Sequence, residues 1–141
     1  MEEKKFKVLV IDDDPGICQL LKDALPRLGN YKVIDAKGGK MGSWLASCKW
    51  HRPDLVILDI MMPQVDGFEV LRRIRETKET AYIPVVILTG RTDAATKIRA
   101  EGLYCDDYIV KPLNLLDLKT RLEEVLLKRG LLERKKDIPG K

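Results

Sequence analysis

Four consecutive apolar residues, Leu55-Val56-Ile57-Leu58, followed at once by Asp59, constrain this chain more than any other stretch. A run this short, without polar alternation, suits a strand covered on both faces, as in a parallel sheet packed between helices. Pro63 and the Asp66-Gly67 pair then break the chain into a turn before a helix opening near Phe68. In open parallel sheets the reactive crevice lies beyond the carboxyl ends of the strands, and Asp59 sits at such an end. Alone, it reads equally as a solvated loop aspartate, so the other strand ends decide.

Phe6 to Ile11 is a second short apolar run, ending in Asp12-Asp13-Asp14-Pro15-Gly16. Asp14 suits an N-cap and Pro15 a first helical position, with Ile17, Leu20, Leu21, Ala24 and Leu28 at helical spacing behind them. Pro26 is expected to end or kink that helix. Tyr31 to Ala36 reads as a strand, and Met41, Trp44, Leu45 and Cys48 mark a short helix. Trp44 and Trp50 are expected in core or helix-end packing, and His51, the single histidine, in an exposed turn with no metal partner in sequence. Phe68, Val70, Leu71 and Ile74 mark the next helix, whose Arg72, Arg73 and Arg75 read as a solvated face. Ile83 to Leu88 is a fourth strand closed by Thr89-Gly90. The helix around Ala94 to Glu101 has few apolar contacts and is expected to be the least firmly held. Tyr108-Ile109-Val110 is a fifth strand ending at Lys111-Pro112. Asn114 then caps a last helix, with Asp117 in capping-box position and Leu118, Leu122, Val125 and Leu126 on one face. Five strands alternating with five helices give an α/β fold with a doubly wound, five-stranded parallel sheet.

The length of 141 residues suits one domain. No apolar run approaches the roughly 18 residues of a membrane span, and no signal-peptide core follows the charged N-terminus. Cys18, Cys48 and Cys105 are odd in number and form no Cys-x-x-Cys or Cys/His cluster, which points to structural thiols in a reducing compartment and a cytoplasmic location. The formal charge of +4 hints at nucleic acid until it is located. Residues 128–141 hold six basic residues (Lys128, Arg129, Arg134, Lys135, Lys136, Lys141) and two acidic ones (Glu133, Asp137); removing these from 26 and 22 leaves 20 of each sign in residues 1–127. The body is neutral and the excess belongs to a basic C-terminal tail, 128–141, read as a solvated extension or linker remnant.

At the strand ends five polar features converge: Asp12 and Asp13 after the first strand, Asp59 after the third, Thr89 after the fourth and Lys111 after the fifth. Singly, Thr89 reads as well as a strand end and Lys111 as an ion-pair partner; jointly they make a site. Carboxylates held together repel by roughly 4 kcal/mol per pair at about 4 Å with an effective dielectric of about 20, so the cluster calls for a cation, and with oxygen donors a hard ion such as Mg²⁺ fits best. Carboxylates, an amine and a hydroxyl around a metal are what phosphoryl transfer needs, with Asp59, central among them, the natural nucleophile.

Asp12-Asp13 after an apolar strand, Asp59-Ile60-Met61-Met62-Pro63 with Asp66-Gly67, Leu88-Thr89-Gly90, and Asp106-Asp107-Tyr108-Ile109-Val110-Lys111-Pro112 resemble the receiver domain of bacterial two-component response regulators, with single-domain chemotaxis-type regulators among them. The resemblance covers roughly residues 6–127 and places a receiver domain at 1–127. It implies a flavodoxin-like (βα)5 fold, with strands in chain order lying 2-1-3-4-5. It also implies that Asp59 accepts a phosphoryl group from a sensor histidine kinase or phosphotransfer protein, and that the chain catalyses only its own phosphorylation and dephosphorylation. Asp13, Asp59 and the Met61 carbonyl would ligate Mg²⁺, with Asp12 helping through water. Lys111 would pair with the phosphoryl group beside a cis peptide to Pro112. Thr89 and Tyr108 would act as the switch, repacking the face of the fourth helix, fifth strand and fifth helix, where a downstream protein partner or a phosphorylation-dependent dimer would bind. Two departures stand out. Tyr104-Cys105 replaces the family's usual Gly-Ala, which alters the loop before the fifth strand, and Met61 and Arg91 flank the path of a hydrolytic water, where their bulk is expected to slow loss of the phosphoryl group.

A Mg²⁺-dependent aspartyl phosphatase is the rival from another class. It fails on Gly16 where a Thr or Val is needed, on an Asp-Asp pair that precedes the lysine, and on the lack of a cap domain. An inert interaction module is a further alternative, against which every functional position is filled. A receiver excised from a longer DNA-binding regulator or a hybrid kinase stays open; nucleic acid and membrane are not expected partners of this chain alone.

Overall fold

The computed structural model describes residues 4–36, 41–63, 65–90 and 92–132. Within them the order is β1 (Phe6–Ile11), α1 (Pro15–Leu28), β2 (Tyr31–Asp35), α2 (Met41–His51), β3 (Leu55–Leu58), β4 (Met61–Met62), β5 (Val65–Asp66), α3 (Gly67–Glu76), β6 (Val85–Thr89), α4 (Ala94–Gly102), β7 (Asp107–Val110) and α5 (Leu115–Lys128). Five strands form one parallel sheet in the order β2-β1-β3-β6-β7, which is 2-1-3-4-5 once the short antiparallel pair β4-β5 is left out of the count. Arg91 and residues 133–141, to which the hydrolysis expectation and most of the basic tail belong, lie outside the described residues.

The pleat sends alternate strand residues to opposite faces and so divides the core in two. Val8, Val10, Leu55, Ile57, Val86, Leu88 and Ile109 pack against Leu21 and Leu25 of α1 and Leu118, Leu122 and Leu126 of α5. Leu9, Ile11, Val56, Leu58, Val85, Ile87 and Tyr108 pack against Trp44 and Cys48 of α2, Leu71 and Ile74 of α3, and Ala100 of α4. All four residues of β3 are fully buried, and each contributes about 2 kcal/mol of apolar burial, which holds the strand delivering Asp59 as the rigid centre of the molecule.

Four helices open with an Asx cap: Asp14, Asp66, Asp93 and Asn114 accept from Gly16, Phe68, Thr96 and Asp117 N–H groups. Each such cap is worth about 1 kcal/mol. The capping-box expectation for Asp117 is half met, because its carboxylate accepts from Arg121 Nε at 3.0 Å.

Several expectations are corrected. Pro26 does not end α1, which runs on to Leu28. The proline lies on an exposed part of the last turn between Leu25 and Leu28, both packed on the core, and the Gly29 N–H closes the helix on the Leu25 carbonyl. The fourth sheet strand begins at Val85 rather than Ile83, whose N–H donates to Thr80 in a turn. His51 ends α2, half-buried, its carbonyl accepting from Lys7 Nζ at 2.8 Å. Trp44 is buried, but Trp50 is 81% exposed. Arg75 is no part of a solvated face: its side chain is 13% exposed, paired with Asp106 at 3.0 Å. Among the described residues no helix is long and apolar enough to cross a membrane.

Candidate functional site

Each polar residue of the site stands where a buried strand ends. Asp12 follows β1, Asp59 follows β3, and Lys111 follows β7. Because the sheet order puts β1 and β3 side by side, the chain from 12 to 59 closes on itself at one crevice. A carboxylate oxygen from each of Asp12, Asp13 and Asp59 lies within 4.8 Å of the others. Lys111 Nζ reaches across the sheet to donate to Asp12 Oδ2 and Asp59 Oδ2, both at 3.2 Å. Its backbone N–H donates to the Thr89 carbonyl at 2.7 Å, and its peptide bond to Pro112 is cis, as expected.

Asp59 is held as well as positioned. Its backbone N–H donates to the Ile11 carbonyl at 2.9 Å, and its Oδ1 accepts from the Met61 N–H at 2.9 Å. That second bond fixes the rotamer, leaving Oδ2 toward Lys111. The residue is 4% exposed, so few water molecules compete for it. Met61, beside it, has its side chain half in solvent, and β4 and β5 close a small hairpin over this end of the sheet. Gly67 makes the close approach of the start of α3 to the segment after β3 possible: a Cβ there would lie 2.3 Å from Ile60 Cα.

The electrostatics are those of an under-neutralised anionic pocket. Burial pushes the Asp12 carboxyl up to about 6, helped by the Asp59 charge and opposed by the Asp14 N–H and Lys111. Burial works against the Lys111 ammonium, but the two carboxylates outweigh it and its pKa is raised. Three carboxylates facing one lysine leave negative charge over. Oxygens bound to one hard divalent cation at about 2.0 to 2.6 Å lie about 3 to 5 Å apart, so the donor set and its span fit such an ion.

Asp12, Asp13, Asp59, Met61 and Lys111 are thus brought together. Thr89 is fully buried at the end of β6 and is joined to the set through the Lys111 backbone. Tyr108 is buried on the α2, α3 and α4 side of the sheet, one residue past Asp107. Sequence reasoning missed Arg75, whose guanidinium donates to the carbonyls of Ile83 and Tyr104 and to Asp106, tying α3 to the loop before β7. An arginine two and three residues from the solvated Arg73 and Arg72 carries no sequence signal for this. It also missed the β4-β5 hairpin, whose two-residue strands are too short to show a period.

The model of the response regulator receiver domain family matches residues 8–123. A curated relative, the "Probable transcriptional regulator ycf27" of Porphyridium aerugineum, is 38% identical over 123 residues, covering 87% of this chain and 49% of that protein. The "DNA-binding dual master transcriptional regulator RpaA" of Synechocystis is 39% identical over 133 residues, covering 94% of this chain and 52% of that protein. The chain spans about half the length of the curated relatives it matches. Among solved structures, the chemotaxis protein CheY4 of Vibrio cholerae superposes with a TM-score of 0.78 at 29% identity, covering 87% of this chain and all of that one. A site of clustered aspartates and a lysine at the ends of a 2-1-3-4-5 sheet, matched across most of its length by one family model, makes this chain a member of the response regulator receiver domain family.

Proposed function

We propose that Asp59 is the phosphoacceptor of this receiver, taking a phosphoryl group from a phosphohistidine on a sensor kinase or phosphotransfer protein. The observation that carries the reading is Lys111 Nζ at 3.2 Å from both Asp12 and Asp59 beside the third carboxylate of Asp13. Asp59 Oδ2 attacks phosphorus as the bond to the donor imidazole breaks, and an acyl phosphate forms on the side chain. The Met61 N–H holds Oδ1 aside and keeps the nucleophile in one orientation. Lys111 moves from the carboxylate pair to a phosphoryl oxygen, and the Thr89 hydroxyl takes another. Asp13, Asp59 and the Met61 carbonyl, with Asp12 outside them, would hold Mg²⁺. When bound, that ion neutralises charge on the transferring group. Self-catalysed gain and loss of the phosphoryl group is then the whole of the chain's chemistry.

The acyl phosphate adds a charge near −2 where a carboxylate stood. Thr89 and Tyr108 carry that change to the face of α4, β7 and α5, which receives a downstream protein or a second phosphorylated copy. α4 suits a moving part, with only Thr96 and Ala100 buried. The domain is taken as 1–127 with a basic tail from 128, and three free cysteines support a reducing, cytoplasmic setting. The second reading, a receiver within a longer DNA-binding regulator, is favoured by longer relatives, about half of whose length the match covers, that are named as transcriptional regulators. A gel shift with the full-length gene product, in both phosphorylation states, distinguishes it from a stand-alone receiver.

The test is intact mass after incubation with acetyl phosphate and Mg²⁺. One added phosphoryl group is expected, absent in Asp59→Asn and absent with excess chelator. An unchanged gain in Asp59→Asn contradicts the assignment.

A further inference from the structure

The opposite edge of the sheet, where the strands begin, carries a second set of features that phosphoryl transfer does not use. A groove of about 440 Å³ opens there, lined by Arg52, Pro53, Tyr82, Pro84, Arg129 and Leu131. Tyr82 is 64% exposed, and Trp50, two residues before Arg52, is 81% exposed. Tyr104, whose carbonyl shares the Arg75 guanidinium with those of Ala81 and Ile83, is 77% exposed on the same edge. Large aromatic side chains left this open, next to arginine and proline, are the composition of an interface centre rather than of ordinary surface.

The backbone gives independent support. Among the described residues only Arg52 (φ 48) and Tyr104 (φ 63) are non-glycine residues with positive φ, and both lie on this edge with exposed side chains. A left-handed arginine or tyrosine costs on the order of 1 kcal/mol that glycine would avoid, and such strain gathers where a side chain must be displayed.

Charge selects the partner. The carboxylates at the groove are engaged internally: Asp54 accepts from the Lys7 N–H and pairs with Lys4, and Asp106 is held by Arg75 and Arg129. Arg129 is partly committed, since it also donates to the Tyr82 carbonyl. Among the described residues the Arg52 side chain makes no ion pair or hydrogen bond. Lys49, Lys78 and Lys128 are exposed at the helix and loop ends that return to this edge, against Glu79, Glu101 and Glu124, while Glu76 pairs with Arg72. The edge is cationic, and the groove has an apolar floor where the buried Pro53 and Pro84 line it.

We propose that this edge is a docking surface for a protein segment that sets an apolar side chain between Tyr82, Pro53 and Pro84 and a carboxylate against Arg52. The prolines and Leu131 make an apolar slot that a nucleic-acid backbone would leave unfilled, and Asp54, which also lines the groove, disfavours a polyanion. Docking here leaves the crevice around Asp59 open, so a partner can be held while the phosphoryl group comes and goes.

The probe is a displayed library of random dodecapeptides selected on the whole chain, followed by the synthetic peptides titrated against ¹⁵N-labelled protein. Selected sequences are expected to pair Asp or Glu with Leu, Phe or Trp, and to shift amides around 50–54, 80–85 and 129–131. Binding should weaken about tenfold in Arg52→Glu and again in Tyr82→Ser, with Asp59→Asn binding as wild type does. Both substituted side chains are exposed, and amide spectra of the free variants verify that they fold. Selection of sequences without acidic residues, or undiminished binding to Arg52→Glu, overturns the proposal. So does a library that yields nothing while a fluorescent oligo-dT binds with dependence on Trp50 and Tyr82, an outcome that assigns the edge to single-stranded nucleic acid.

Discussion

Replacing Gly67 by alanine separates two accounts of that residue with opposite signs. Gly67 opens α3, its φ is not in the left-handed region, and helix propensity alone would make alanine the better residue by up to about 1 kcal/mol. Packing says otherwise: the added Cβ meets Ile60 Cα at 2.3 Å and the Asp59 carbonyl oxygen at 3.0 Å. Those neighbours are backbone atoms of the segment that carries Asp59, so no side chain can swing aside. Restoring an ordinary carbon-carbon contact of about 3.5 Å requires a shift of about 1 Å between α3 and the segment after β3. Overpacking of this kind costs about 3 kcal/mol, which in a domain of this size lowers Tm by roughly 10 °C. Urea titration of Gly67→Ala should therefore show a lower midpoint at unchanged m-value, together with slower phosphoryl uptake at Asp59. Gly102→Ala is the control, since a Cβ there meets nothing within 4 Å, and it should gain about 0.5 kcal/mol. A Gly67→Ala protein as stable as wild type would refute the close-approach argument.

Other expectations follow from the same geometry. Arg75→Met leaves the Ile83 and Tyr104 carbonyls without the guanidinium and Asp106 with Arg129 and the Val85 N–H alone, and should cost about 2 kcal/mol in urea titration. Mg²⁺ at about ten times its Kd should stabilise the wild type by about 1.4 kcal/mol, a gain that Asp13→Asn, altered at an exposed residue, should largely lose by thermal denaturation. Burial raises Cys48 to about 12 and Tyr31 to about 12, so both stay protonated in the fold after the unfolded chain ionises near their ordinary values of 9.0 and 10.0. Their contribution is present below about pH 9 and is lost as pH rises toward 12, and Cys48→Ala should flatten that alkaline decline in urea midpoint. Met61→Ser, which removes bulk beside Asp59, should speed loss of the phosphoryl group several-fold in a chase by intact mass.

The five sheet strands were legible because most are short apolar runs closed by a charged or turn residue, and β3 matches its expected bounds residue for residue. The site was legible for the same reason: the residues that stop the strands are the ones brought together at the crevice, so Asp12, Asp59 and Lys111 are marked by position as well as type. What failed to show was tertiary. Pro26 reads as a breaker until the packing of Leu25 and Leu28 on the core is known. Arg75 reads as surface because its partners are the carbonyls of Ala81, Ile83 and Tyr104, which carry no residue-type signal, and an aspartate 31 residues away. Trp50 reads as packing because composition cannot tell a buried tryptophan from one on display.

The central claim is that one oxygen of Asp59 becomes an acyl phosphate, and borohydride trapping tests it most directly. Reduction of the acetyl phosphate-treated protein, followed by peptide mass mapping, should convert Asp59 to homoserine and leave Asp12 and Asp13 intact. Homoserine at position 12 or 13, or none at 59 in protein that has gained a phosphoryl group, would contradict the account.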